Sequence, residues 1–394
     1  MSNYQVYFSE EIKVLMDLLS SHHHELVVVG GWVRDILLGR KPTDVDMASN
    51  LSPKEMLKLL KDYPTSMIGI KYGTVGVKIN NTWIEITTYR SDHNTLDHRH
   101  PSSNQFIDSL EADLKRRDFT INALAINQAG DLVDYVGGLE DLKNQRIKAI
   151  GQPDERFSED ALRILRAMRF AITLDFMIDD ETQVAMLKQR QLLKHISSER
   201  IWEELMKMLN GQHIQSIFLT NAKILLDLLP QSHIPSYLDQ TKDPTIRLWM
   251  LLDRLDQSNL TKVLQHYKVS NALFKRLEHL YDYSRIDFQL DRVQLKLILS
   301  ESNLDDLKLC LVYLKFINMS DFYNDLDALY ESILLSHEPF KVKDLALNGD
   351  DLMALGITKQ EIKVSLKLLL EKVISDPLLN HKERLIALCT KDLT

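Results

Sequence analysis

Val27-Val28-Val29-Gly30-Gly31-Trp32-Val33-Arg34-Asp35, followed nine residues later by Asp44-Val45-Asp46, is the stretch on which the reading of this chain turns. An apolar run stops at two glycines, and an arginine follows three positions after the second. A strand that ends in Gly-Gly and leads into a helix is a recurring way to receive phosphate. Glycine lets the backbone approach the anion, and the free amides of a helix start point toward it. Arg34 would add a charge-assisted bond to a phosphate oxygen. Taken alone, the pattern is more often an ordinary turn. The two aspartates reverse that balance. In a strand, residues i and i+2 face one side, so Asp44 and Asp46 share one space. Unpaired anions that close are costly, and a hard cation such as Mg²⁺, which takes carboxylate and phosphate oxygens together, is the natural remedy. Two such ions can activate an attacking hydroxyl and stabilise a leaving pyrophosphate. Asp44 and Asp46 are therefore the expected catalytic and metal-holding residues, with Gly31 and Arg34 expected on a nucleotide. Glu85, in Trp83-Ile84-Glu85-Ile86-Thr87, is either a third metal-facing carboxylate or a residue of the solvent face.

The remaining composition sets bounds. A chain of 394 residues has room for two or more domains. No apolar run approaches the ~20 residues of a membrane span, so no membrane partner is expected. The first residues lack a basic-then-apolar secretory pattern. Cys310 and Cys389 stand alone and imply no disulfide framework. The cytoplasm is the simplest location. A net charge of −8 weighs only weakly against nucleic-acid binding, because binding depends on local basic patches.

Leu26–Val29, Thr74–Ile79, Trp83–Thr88 and Leu132–Tyr135 read as strands, rich in β-branched and aromatic residues. Glu10–Ser20 and Ser52–Lys61 read as helices, the second with Ser52 at the N-cap and Pro53 at the first helical position. From about Glu155 the pattern becomes helical, in Phe157–Leu174, Asp180–Leu193 and Ser197–Leu209, and the rest reads as helices joined by short loops. The expected fold class is α+β, a mixed-sheet N-terminal head followed by an all-α extension.

Gly30-Gly31-x-x-Arg34-Asp35-x-x-Leu38-Gly39-Arg40-x-Pro42-x-Asp44-x-Asp46 resembles the first motif of class II CCA-adding tRNA nucleotidyltransferases and bacterial poly(A) polymerases. Ala48 departs slightly, since the family often has Thr there. Arg116-Arg117-Asp118-Phe119-Thr120-Ile121-Asn122-Ala123-Leu124 resembles the second motif. Its two arginines suit triphosphate or primer-backbone contacts, and Asn122 would orient the nucleotide sugar. Asp134–Leu142 resembles the third, usually read as a hinge, with Gly137-Gly138 as the source of flexibility.

Glu159-Asp160-Ala161-Leu162-Arg163 is the most mechanistic segment. On a helix, Asp160 and Arg163 are i, i+3 neighbours, and the plain reading is a surface ion pair of little worth. The functional reading follows from base edges. Cytosine and adenine each present an exocyclic amino donor beside a ring-nitrogen acceptor. Asp160 can accept from the first and Arg163 can donate to the second. Uracil and guanine reverse the polarity, which leaves two buried mismatches. The segment resembles the family's nucleotide-selecting motif. Arg166 and Arg169 continue that face toward phosphate or neighbouring acids. Ile196–Leu205 resembles the fifth motif, and Ser198, Glu199 and Glu203 in it read as bracing.

Between Arg90 and Phe106 a polar stretch carries Asp97, Arg99 and Pro101 in the family's Asp-x-Arg-x-Pro arrangement. The resemblance implies an element that helps the change from C to A addition, and so full CCA synthesis. His93, His98 and His100 read as chance residues of a solvated loop rather than zinc ligands. Asn348–Leu352 and Asn380–Leu385 are similar to tail segments of the Gram-positive type, although a glycine often found near Lys363 is missing. Lysines and arginines of Lys359–Lys372 would meet tRNA phosphates, with salt-sensitive binding.

The resemblance implies a head at 1–146, a neck at 147–212 that selects the nucleotide, a body at 213–310 and a tRNA-binding tail at 311–394. It implies CTP and ATP as substrates, tRNA as partner and Mg²⁺ as cofactor, and it admits a homodimer. Rival readings are a CC-adding or A-adding enzyme, a poly(A) polymerase, which usually carries a basic C-terminal extension, and a non-catalytic RNA-binding module, which the Asp44 and Asp46 pair opposes.

Overall fold

The structure is a computed structural model that describes residues 3–93 and 103–391. Asp97, Arg99, Pro101, His98 and His100 lie outside the described residues. The chain divides into two compact units, Met1–Pro230 and Gln231–Thr394.

In the first unit the order begins α1 (Glu10–Ser21), β1 (Leu26–Val29), α2 (Gly31–Leu37), β2 (Asp46–Ser49), α3 (Pro53–Leu59), β3 (Thr65–Ser66), β4 (Thr74–Ile79) and β5 (Thr82–Thr88). A hairpin, β6 (Arg90–His93) and β7 (Ser103–Phe106), leads to α4 (Leu110–Lys115), β8 (Leu124–Ile126), β9 (Leu132–Asp134) and α5 (Gly138–Lys143). Then come β10 (Arg146–Ile147), α6 (Pro153–Glu159), α7 (Leu162–Leu174), β11 (Met177–Ile178), α8 (Asp180–Gln189) and α9 (Ser198–Leu209).

Seven strands form one mixed sheet in the order β3-β4-β5-β2-β1-β8-β9. Every pair is antiparallel except β2 with β5, the pair that needs a crossover, which α3 supplies. All four residues of β1 are buried, as expected of a central strand covered on both faces. In β4 and β5 burial alternates. Val75, Val77, Ile79, Ile84 and Ile86 point into the core, while Thr74, Gly76, Lys78, Trp83, Glu85 and Thr87 lie on the more open face. That face also carries Asp46, because Asp46 pairs with Glu85 in register. α1 buries Ile12, Leu15, Met16 and Leu19 in a single apolar stripe. α3 begins as its sequence predicts. Pro53 follows the Ser52 cap, and Glu55 completes a capping box by accepting from the Ser52 amide.

Two expectations change. The Gly137-Gly138 turn is clamped rather than hinge-like. The Asp134 carboxylate accepts the amides of Val136, Gly137, Gly138 and Leu139 at 2.9–3.0 Å. Gly138 is required by space, because a Cβ there would lie 2.2 Å from the Thr120 carbonyl oxygen. The second change is in the neck. Apolar spacing suggested one helix over Phe157–Leu174, but α6 stops at Glu159 and Asp160 is extended (φ −146°, ψ 102°). Aspartate competes for backbone donors, and the Asp160 Oδ1 takes the Leu162 amide at 3.1 Å, which starts α7. Asp160 and Arg163 are thus not neighbours on one helix. α8 likewise ends at Gln189 and continues as a 3-10 turn over Arg190–His195.

The second unit is built of helices among its described residues, from Pro244–Leu252 to Lys382–Lys391. Leu352, Leu369, Leu370, Val373, Ile374 and Leu385 form one of its cores. No helix among the described residues is long and apolar enough to cross a membrane.

Replacing Gly138 by Ala should destabilise the protein by about 1–3 kcal/mol, since the new methyl meets backbone rather than a movable side chain. Urea unfolding followed by circular dichroism reads this as a lower midpoint. An unchanged midpoint would mean that the turn yields.

Candidate active site

The sheet opens beneath a cavity of about 860 Å³ whose lining includes Gly30, Gly31, Arg34, Asp44, Asp46, Arg116, Arg117, Asn122, Asp160, Arg163, Arg166 and Arg169. Residues spread over 140 positions of sequence meet there. Only Glu85 of the expected site residues is absent from that lining. Its ladder position opposite Asp46 still puts it on the same face, where it is exposed. Among the described residues, no group of three His, Cys, Asp or Glu side chains is gathered closely enough to hold a metal.

Gly30 ends β1 with φ +73°, a left-handed conformation that suits glycine. A Cβ there would lie 3.4 Å from Arg117 Nη1 and 3.7 Å from Asp46 Oδ2. Those are ordinary contact distances, so it is the left-handed backbone rather than crowding that asks for glycine there. β2 starts at Asp46, so Asp44 lies just before the strand rather than in it. The two carboxylates still line one cavity. Burial pushes the Asp46 carboxyl above the usual carboxylate range, Arg117 opposes this, and the Asp44 charge adds to it. Among the described residues, neither aspartate forms an ion pair. Asp44 has only a 3.2 Å hydrogen bond from Thr43 Oγ1.

The arginines are held in the opposite manner. Arg34 donates through Nε and Nη2 to Asp35 and through Nη1 to Asn122 Oδ1 at 2.8 Å. Arg116 and Arg117 share the buried Asp113 carboxylate. Burial would raise that carboxyl, but the two arginine charges and their bonds hold it below its ordinary value. Arg166 makes a two-pronged bond to Asp118 at 2.8 and 2.6 Å. Burial of Asp118 is likewise outweighed, by Arg166 and the charge of Arg163, so its carboxyl is lowered. Arg169 donates to Glu204 on α9. Arg34, Arg166 and Arg169 surround the Phe170 ring at 5.5, 5.4 and 4.0 Å from its centroid, and Phe119 meets that ring edge-on. An aromatic face attracts cations, and the ring spaces the three guanidinium groups.

The pair expected to read the base is arranged through third parties. Arg163 bonds Glu159 and the carbonyls of Arg156 and Arg116. Asp160 Oδ2 accepts from Arg200 of α9 at 2.9 Å. A carboxylate has about four acceptor sites and a guanidinium five donors, so both retain capacity toward a base. Asp118, Glu159, Arg200, Glu204, Lys207 and Phe170 were not singled out from sequence. Asp118 sits inside the second motif beside the two arginines, and Arg200 sits inside the segment read as bracing, so both were within reach. Glu204 lies in that same segment, where Glu199 and Glu203 were named instead.

A carboxylate pair facing a polar cavity walled by guanidinium groups, on a mixed sheet, suits a nucleotidyltransferase. Residues 26–148 match the model for the poly A polymerase head domain, and residues 175–232 match that for the probable RNA and SrmB-binding site of polymerase A. The CCA-adding enzyme of Levilactobacillus brevis is 33% identical over 408 aligned residues, covering 97% of both chains. That of Lactobacillus helveticus is 38% identical over 285, covering 68% of this chain and 70% of its own. The crystal structure of the Bacillus stearothermophilus CCA-adding enzyme in complex with CTP superposes with a TM-score of 0.81 at 26% identity, over 100% of this chain and 98% of that one. The chain belongs to the family of CCA-adding enzymes.

Because its folded-state pKa is raised, the ionised Asp46 opposes folding above its unfolded pKa, and that cost vanishes as pH falls below it. In the absence of divalent cation and nucleotide, Asp46→Asn should melt at the wild-type temperature or a few degrees above it at pH 7. The difference should fade below about pH 4. Calorimetry checks this, and a clear drop at pH 7 would contradict it.

Proposed function

We propose that this chain adds and repairs the 3′-terminal CCA of tRNA, using CTP and ATP and releasing pyrophosphate, without a nucleic-acid template. The observation that carries the proposal is the convergence on one cavity of Asp44 and Asp46 with Asp160 and Arg163. The first pair serves transfer and the second serves choice of base. Likeness to CCA-adding enzymes over nearly the whole chain supports it, as does the CTP held by the Bacillus stearothermophilus enzyme.

Nucleotidyltransferases of this kind use a divalent metal. Asp44 and Asp46 fit one, because they face the cavity with no ion-pair partner among the described residues and Asp46 is unfavourably charged as it stands. Their hard oxygen donors favour Mg²⁺, with Glu85 as the third carboxylate proposed beside them. When bound, the ion supplies charge that activates the attacking 3′ hydroxyl and stabilises the leaving pyrophosphate. Gly31 leaves room for the triphosphate, and Arg34, Arg116 and Arg117 bind it. Asn122, held by Arg34, orients the sugar. Asp160 accepts from the amino group of cytosine or adenine, and Arg163 donates to the adjacent ring nitrogen. Arg166 and Arg169 complete that wall and hold it in charge balance. In this reading the chemistry lies in a head (1–146), selection in a neck (147–212), and RNA phosphate contacts beyond a body (213–310) in a tail (311–394). The compartment is the cytoplasm. A homodimer is the assembly to look for by sedimentation velocity.

Incubation of tRNA lacking its 3′ end with labelled CTP, ATP, UTP and GTP and a divalent cation should yield ends that sequence as CCA. A CC end, a single added A or an A tract would favour one of the rival enzymes. Asp160→Ala or Arg163→Ala should relax selection against UTP and GTP by about 5- to 150-fold, the worth of roughly 1–3 kcal/mol of mismatch at an unpaired polar group. A variant that still adds only C and A would contradict the assignment.

A further inference from the structure

The cavity has a second side that nucleotide selection leaves unused. Across the sheet, Asp46 on β2 stands between β1, which leads through Gly30 and Gly31 to the arginine wall, and β5 with β4 beyond it. The β4 and β5 side contributes Tyr72, Thr74 and Thr87 to the same cavity. Thr74 and Thr87 face each other in the ladder, with their hydroxyls 2.9 Å apart, on the face that carries Asp46.

Tyr72 closes the 3-10 turn Ile70–Tyr72, and half of it, 51%, is exposed. The backbone beneath it is fixed although its surface is open. Its carbonyl accepts from Arg90 Nη1 at 2.7 Å, and Gly73 next to it is left-handed (φ +85°). The Phe106 ring packs so closely that a Cβ on Gly73 would lie 2.8 Å from it. Among the described residues, no aromatic ring stacks on Tyr72. A wetted ring carried on a pinned stretch of backbone at the wall of a polar cavity is placed to meet a flat partner, and each stacked base gains from such a ring whatever its identity.

We infer that Tyr72 is the platform on which the terminal base of the RNA acceptor strand stacks, bringing the 3′ hydroxyl to Asp44 and Asp46 from the side opposite the arginine wall. The inference rests on the nucleotidyl transfer proposed above. In-line displacement requires the attacking hydroxyl and the leaving pyrophosphate to lie on opposite sides of the α-phosphate. A triphosphate held by Arg34 and Arg117 therefore leaves the β4 and β5 side to the RNA. The terminal base also changes as addition proceeds, which suits a stacking surface better than a hydrogen-bonding pocket.

The test compares wild type, Tyr72→Ala and Tyr72→Phe in steady-state CTP addition to tRNA lacking its 3′ end, alongside equilibrium binding of CTP without RNA. The Ala variant should lose about tenfold or more in kcat/KM for the RNA, carried mainly by KM. Its CTP affinity should stay at the wild-type value, and the Phe variant should be close to wild type in both. An Ala variant within twofold of wild type in its KM for RNA would overturn the inference, as would an equal loss of CTP affinity. A wild-type protein that binds CTP but extends no RNA would instead overturn the proposed function.

Discussion

Eight arginines and a lysine line one cavity, and like charges gathered so densely cannot persist unless they are answered. The rest of the first unit is arranged to answer them. Asp35 and Asn122 hold Arg34, Asp113 holds Arg116 and Arg117, Glu159 holds Arg163, Asp118 holds Arg166 and Glu204 holds Arg169. The acids come from α2, α4, the segment before β8, α6 and α9, so the charge balance is also what ties sheet to neck. Removing one acid strands a partly buried cation, a change that costs far more than the pair itself contributes.

Asp44 and Asp46 invert the pattern. They are the acids left without an ion-pair partner among the described residues, and burial makes the charge on Asp46 costly. Groups whose ionisation is perturbed in a cleft are where function is expected. The protein thus holds a surplus of fixed positive charge and, beside it, a carboxylate pair without an ion-pair partner among the described residues, within one cavity. Phe170 keeps three guanidinium groups apart while they bond outward. Asp160 carries two loads, capping α7 through one oxygen and meeting Arg200 through the other.

Much of this was legible because the decisive signals are local. The apolar run of β1, the alternation in β4 and β5 and the Ser52-Pro53 start of α3 each need only a few consecutive residues. The candidate site residues are spaced in fixed motifs, so they could be named without the fold, and all but Glu85 line one cavity. What sequence did not reveal depends on contacts between distant segments. Ala161, Ile164, Leu165 and Met168 keep helical spacing with Phe157, so periodicity runs straight through the break that a side chain makes at Asp160. The parallel pairing of β2 with β5, the two- and three-residue strands, and the placing of Glu204 under Arg169 are set by packing across tens of residues. The clamp on Gly137-Gly138 was hidden for the same reason, since it takes Asp134 and the Thr120 carbonyl together to fix a turn that its glycines suggest is free.

The central claim is that base choice, at Asp160 and Arg163, and transfer, at Asp44 and Asp46, occur at separate places in one cavity. A crystal structure of this protein with CTP and a divalent cation tests that directly. The account predicts the cytosine amino group within hydrogen-bonding distance of Asp160, its ring nitrogen facing Arg163, and the triphosphate between Arg34, Arg117 and Asp46. Cytosine seated against Tyr72, with its amino edge away from Asp160, would contradict it.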